Sequence, residues 1–364
     1  MSTQNQYFPQ SVPHPGIDLA EKLEELSMGP KEFAIRSNKP EKTIIAILSG
    51  KSSITPDMAV LFENVLQIPA HFWLNRQRSF DEFKAREERL EILKDSIDWA
   101  KRFPVKEMFE KNWISKSKSS EEITSSLLAF FGFSSHTAWE NYYLNQQLKV
   151  AFRISLAQTK EPFALSAWLR KGEIQAAKLE ANIYDEKKFK DSLHEIKSLM
   201  AKHPDNFFEL LRDICLQVGV KVVYTPCLPK APISGSTRWL NDDRPLIQLT
   251  GRYKRNDNFW FTFFHEAGHI LIHGKKDIFL ESIDYSEKDL EKEREADEFA
   301  VKWTFSKTEQ EKVMNKRPLL VSDIIDFAKE FNTHPAMIIG RLQHDKLIPY
   351  TVGRQFMMPI EIPN

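Results

Sequence analysis

The chain has 364 residues, 41% hydrophobic and 28% charged, an ordinary globular composition with room for roughly two or three domains. Lys+Arg and Asp+Glu both number 51, so no charge excess pulls the chain as a whole onto nucleic acid or membrane; a polybasic mode of binding is excluded, a local basic face is not. Cys215 and Cys227 exclude a disulfide framework and fit a reducing compartment. No apolar run approaches the roughly 18–20 residues that span a bilayer, and the N-terminus lacks a basic stretch followed by an apolar core. The expectation is a soluble, cytoplasmic protein with no membrane segment.

Residues 1–15 are polar and carry Pro9, Pro13 and Pro15, which predicts an extended N-terminal tail. From 16 to 78 short helices follow one another. Leu19, Leu23 and Leu26 share one helix face, and Gly29-Pro30 opens a second helix through Phe33, Ala34 and Ile35. Pro40 suits the first turn of a third, where Ile44, Ile45, Ile47 and Leu48 read as core before Gly50 stops the helix. Thr55-Pro56-Asp57 caps a fourth. Four short helices with a tight join between the second and third describe a helix-turn-helix. Its third helix would enter the major groove of operator DNA by its N-terminal end. Ser37, Asn38, Lys39, Lys42 and Thr43 are placed to reach bases or phosphates, and Lys51 to touch the backbone. The module has eight basic and eight acidic residues, but between Lys31 and Lys51 only Glu32 and Glu41 oppose the positive charge. A bundle used for protein contacts is the alternative.

Residues 79–204 read as a helical middle region, broken at Phe103-Pro104, Gly132 and Glu161-Pro162, with no ligand spacing. From 205 to 350 the pattern becomes α+β. A helix over Phe207–Val218 precedes β-rich runs at Val220–Tyr224, Gly235–Leu240 and Pro245–Leu249; the turn Asn241–Arg244 makes the last two a hairpin. Residues 351–364 form a C-terminal tail. The fold expected is mainly α with a small β-sheet: an all-α helix-turn-helix domain, a helical middle region and an α+β C-terminal domain.

The chemistry lies in Phe263-Phe-His265-Glu266-Ala-Gly-His269-Ile-Leu-Ile-His273-Gly274. On a helix His265 and His269 stand one turn apart and reach one ion, with Glu266 about 100° round beside the open coordination position. The helix is strongly apolar, so its polar trio needs partners, and a metal supplies one. Downstream, Glu293 and Asp297 are again one turn apart, in Glu291-Lys-Glu293-Arg-Glu295-Ala-Asp297. Glu293 is assigned as the third metal ligand and Asp297 as the acceptor for a ligand histidine's other N–H, with Glu295 the competing ligand. His273 either lines the pocket, as a possible replacement ligand, or caps the helix before Gly274. Two histidines and a carboxylate suit Zn2+, although manganese or iron fit the same donors. The reaction expected is amide hydrolysis by a zinc-bound water whose proton Glu266 accepts. The hairpin offers an edge to an extended peptide, and Arg238 and His273 are weak candidates for a further oxyanion donor.

Two resemblances follow from these residues. Residues 16–78 resemble the Xre-type helix-turn-helix proteins, in particular HigA-type antitoxins, through Leu19–Leu26, Lys31-Glu-Phe-Ala34, Ile44–Leu48, Ile54-Thr55 and Leu66-Gln-Ile-Pro-Ala70 with Phe72-Trp-Leu74. Residues 206–345 resemble the ImmA/IrrE family of zinc metallopeptidases through Phe259–His273 and Glu293-Arg-Glu-Ala-Asp-Glu-Phe-Ala300. That resemblance implies a zincin-like domain that cleaves a regulatory protein in bacterial stress response or mobile-element control. The substrate would be an Xre-type repressor, a toxin–antitoxin partner or the chain itself. Val301–Ser306 departs from the proline-ending stretch usual at that place. A homodimer is expected, because paired helix-turn-helix modules match two half-sites. The alternative is a HigA-like antitoxin or repressor whose metal site is structural or sensory and hydrolyses nothing.

Overall fold

The computed structural model describes residues 10–144, 161–229, 233–241, 243–273, 279–280, 287–316 and 318–362. Asp242 and Gly274, read above as part of a turn and as a helix stop, lie outside them. The fold is mainly α with a small β-sheet, in two units, one ending at Asp95 and the other beginning at Ser96.

The first unit holds α1 (Pro15–Glu25), α2 (Pro30–Arg36), α3 (Glu41–Leu48), α4 (Pro56–Leu66) and α5 (Ala70–Asp95). Proline opens α1, α2 and α4, where its missing N–H costs nothing. Pro40 instead sits one place earlier, as the N-cap of α3. Leu19, Leu23, Phe33, Ile44, Ile47, Phe62 and Trp73 form one core. Ile45, expected in that core, is 50% exposed: it stands about 100° round from Ile44, on the outer side of α3. The start of α1 presses on the end of α3 so closely that a Cβ on Gly16 would lie 2.0 Å from the Ile47 carbonyl oxygen. The lead-in is packed here too, since the buried ring of His14 caps α1 by accepting from the Gly16 N–H at 2.9 Å. The expected boundary after Arg78 falls inside α5, which continues for another seventeen residues to Asp95.

The second unit begins with α6 (Ile97–Ala100), α7 (Val105–Glu110), α8 (Ser120–Phe131), α9 (His136–Tyr143) and α10 (Pro162–Ala176). Trp99, Phe103, Phe131, Trp139 and Phe163 hold this region together through mostly edge-on ring contacts, the favoured geometry for aromatic pairs. After α11 (Glu186–Lys202) and α12 (Phe207–Gln217) come β1 (Lys221–Tyr224), β2 (Gly235–Trp239) and β3 (Pro245–Leu249), then α13 (Asn256–Ile272) and the two-residue β4 (Phe279–Leu280). The chain ends with α14 (Glu287–Thr304), α15 (Lys307–Met314), α16 (Val321–Glu330) and α17 (Pro335–His344).

The strand order is β1-β3-β2-β4. The β2–β3 pair is the expected antiparallel hairpin, with Thr237 opposite Ile247, whereas β1 joins β3 in parallel. The hairpin's other edge is not open to a peptide at Ser236 and Thr237, because β4 pairs there. Both faces of the sheet are covered, which is why β3 is buried along its whole length. Ile247 and Leu249 join α11, α12 and α13 in the main core, while Leu246 packs with Ala176 of α10 on the opposite face. The C-terminal tail is likewise packed. Ile360 enters the main core, Pro359 bridges to Arg255, and the Met358 N–H reaches Asn256 Oδ1 at 3.2 Å.

A buried histidine in this core gives the fold a pH dependence. The Trp260 indole N–H donates to His203 Nδ1 at 3.0 Å, so that nitrogen must stay bare. Burial, helped by the nearby His334 and opposed by Asp205, pushes His203 down to about 4. The unfolded chain takes up this proton first as pH falls, near the ordinary 6.5. The stability contributed is therefore complete above about 6.5 and lost between about 6.5 and about 4, up to about 3 kcal/mol. Melting temperatures measured from pH 7 to 4 should fall more steeply for the wild type than for His203→Gln, which keeps an acceptor but does not titrate. Parallel curves would rule out His203 as the source.

Candidate metal centre

Helix α13 is enclosed by the sheet and neighbouring helices, with Phe259, Trp260, Phe263, Phe264, Ala267 and Ile270 in the main core. His265, Glu266 and His269 are buried in that apolar setting, where a polar group is costly unless partnered. The one-turn spacing brings His265 Nε2 and His269 Nε2 to 3.0 Å from each other. From α14 alongside, Glu293 places Oε2 3.2 Å from His265 Nε2 and Oε1 3.5 Å from His269 Nε2. Four-coordinate zinc with ligands at about 2.0–2.1 Å has a tetrahedral edge of about 3.3 Å, so these three donors are spaced to share such an ion.

The electrostatics agree with that donor set. Burial disfavours charge on His265, but Asp297, Glu293 and Glu266 outweigh it and hold the ring well above the usual histidine range. His269 is driven far below that range by burial and by the neighbouring rings of His265 and His273, with Lys292 adding to the effect.

The other residues read from the sequence fall into distinct places. Asp297 Oδ1 lies 2.9 Å from His265 Nδ1, on the side of the ring away from Glu293. Glu295 reaches His273 instead of the two facing imidazoles. Glu266 lies under β2, where the Thr237 hydroxyl donates to its backbone carbonyl at 2.9 Å. A Cβ on Gly235 would come within 2.6 Å of Glu266 Oε1 and 2.7 Å of Thr262 Cγ2. The sequence places Gly235 in the hairpin but not against Glu266, although a glycine inside a strand often marks a close approach. Arg238 is not an oxyanion donor. Strand alternation turns it away from α13, to a buried ion pair with Glu173 of α10 at 3.0 Å and a bond to the Leu169 carbonyl.

In the first unit, Ser37 cannot serve as a nucleic-acid contact. It is 1% exposed, and its hydroxyl donates to the Phe33 carbonyl at 2.7 Å. Lys39 is engaged by Asp57, whose carboxyl it holds down at about 2 with help from Thr55. Asn38, Lys42 and Lys51 are exposed and Thr43 is half-buried.

Comparison with known proteins divides the same way. Residues 215–342 match the IrrE N-terminal-like domain of the peptidase M78 family. An uncharacterized HTH-type transcriptional regulator of Escherichia coli (strain K12), YddM, is 34% identical over 68 residues, which are 19% of this chain and 72% of the relative. An addiction module antidote protein of the HigA family from Coxiella burnetii is 34% identical, with 22% of this chain and 87% of that chain covered and a TM-score of 0.21. Among the described residues no helix is long and apolar enough to cross a membrane. The chain belongs, by its N-terminal region, to the HTH-type transcriptional regulators, and joins to that region an IrrE N-terminal-like domain of the peptidase M78 family.

Proposed function

We propose that this protein is a cytoplasmic, DNA-binding regulator whose second unit is a zinc-dependent endopeptidase acting on a regulatory protein: an Xre-type repressor, a toxin–antitoxin partner or its own chain. The observation that supports this reading is the convergence of two buried imidazoles and the Glu293 carboxylate, with Glu266 one residue from His265. Zinc, when bound, polarises a carbonyl and makes water acidic near neutral pH. His265, His269 and Glu293 hold it, and Asp297 fixes the ring of His265. Glu266 accepts the proton of the attacking water and returns it to the leaving amine. In the first unit α3 serves as the recognition helix of a homodimer. Lys42 and Lys51 meet phosphates, Asn38 and Thr43 lie at the groove, and the exposed Ile45 offers an apolar contact to a thymine methyl.

The test is to incubate the zinc-loaded protein with an Xre-type repressor, with its neighbouring toxin–antitoxin partner, and alone, each with and without a chelator. Fragments are then mapped by mass spectrometry. Chelator-sensitive cleavage at a defined bond is expected. Zinc at unit stoichiometry with no bond cut in any of the three would support the antitoxin reading instead. Operator binding titrated against salt should lose about one unit of slope in Lys42→Ala and none in Ser37→Ala. Equal slopes in both variants would remove α3 from the interface.

A further inference from the structure

His273 ends α13 as its C-cap, its backbone N–H bonded to the His269 carbonyl. A cap needs nothing from the ring, yet the side chain is only 4% exposed and aligned at both nitrogens. Its Nδ1 lies 2.9 Å from His269 Nδ1, and its Nε2 lies 3.0 Å from Glu295 Oε2. Together they form a chain running from a carboxylate, through one imidazole, to a second imidazole in the proposed metal centre.

The direction of these bonds follows from which groups can donate. An ionised carboxylate only accepts, so His273 Nε2 carries the hydrogen. A neutral imidazole has one donor and one acceptor, so His273 Nδ1 is bare and accepts from His269 Nδ1–H. That leaves His269 Nε2 bare, and Nε2 is the nitrogen facing His265 Nε2 and Glu293. We propose that His273 and Glu295 are a positioning pair, which locks His269 in the tautomer and ring orientation that present Nε2 to a divalent cation. This rests on the reading of the site as a metal centre. His265 is held by a shorter route, its Nδ1 bonding directly to Asp297. The two ligand histidines thus have separate supports, both drawn from α14. The pairing also gives Glu295, the competing ligand by sequence, a place in the site without a bond to the ion.

The experiment uses the full chain and two readouts besides cleavage. Zinc affinity is measured by competition with a chromophoric chelator, and the His269 tautomer by long-range proton–nitrogen correlation of the metal-free protein. The wild type should show His269 protonated at Nδ1 and bare at Nε2. His273→Leu, an apolar replacement suited to a buried position, should lose this tautomer preference and bind zinc about 10–100-fold more weakly. Glu295→Ala should fall in the same direction. His273→Gln, whose amide oxygen can accept from His269 Nδ1–H, should recover much of the affinity. A wild-type His269 protonated at Nε2 would overturn the proposal, whether or not zinc binds. So would zinc affinity in His273→Leu within about threefold of wild type. Failure of the wild type to bind zinc, with the Nδ1–H tautomer intact, would instead overturn the metal-centre reading and with it the pair's role toward an ion.

Discussion

Glu266→Gln is expected to keep zinc at full stoichiometry and to lower peptide-bond cleavage by about 10²–10⁴-fold, the usual contribution of a positioned general base. Glutamine matches the glutamate in shape, so the close fit beneath Gly235 and beside Thr262 survives. Glu266 is fully buried, and its charge is among those that favour the protonated ring of His265; the amide supplies no such charge and takes no proton. The loss should appear in kcat, with KM little changed, because Glu266 acts on the attacking water and not on the peptide's side chains. Metal content by mass spectrometry and single-turnover cleavage of the identified substrate check both halves. Turnover within about threefold of wild type would take Glu266 out of the mechanism.

What could be read from the sequence was local periodicity and spacing. His265, Glu266 and His269 lie within one helical turn, so their shared surroundings follow from helix geometry. Glu293 and Asp297 obey the same rule on α14. The β2–β3 hairpin was equally plain, because its turn residues lie between its strands. Long-range pairing was not legible: nothing in Lys221–Tyr224 announces a parallel partner in β3, and nothing in Phe279-Leu280 announces that it covers the edge of β2. Nor did the motif-poor middle region show that α10 would cover the sheet face opposite α13, although the unbroken burial of Pro245–Leu249 requires some such cover. Three misreadings were open to correction from the sequence itself. Helical geometry separates Ile45 from Ile44, strand alternation separates Arg238 from Thr237, and a serine four residues after Phe33 can bond back to its carbonyl. His273 was harder, because its position fits a helix cap and only the fold brings Glu295 to its ring.

Removing the acid on α14 is the second large effect. Glu293→Ala should lower zinc affinity by more than the 10–100-fold typical of a lost supporting hydrogen bond, and cleavage should disappear with the metal. Glu295→Ala should stay within that 10–100-fold range and regain activity in excess zinc. The difference follows from reach. The Glu293 carboxylate spans both facing nitrogens at 3.2 and 3.5 Å, whereas Glu295 touches His273 at the far end of α13. Without Glu293, two neutral imidazoles alone face the ion. Both the ion's positive charge and its tetrahedral set then lack a partner. Cobalt substitution distinguishes the cases further: the Glu293 variant should lose the visible absorption of a four-coordinate site, and the Glu295 variant should retain it with shifted bands. Should the order invert, with Glu295→Ala shedding the metal and Glu293→Ala holding it, the α14 carboxylates exchange roles and His273 loses its anchor.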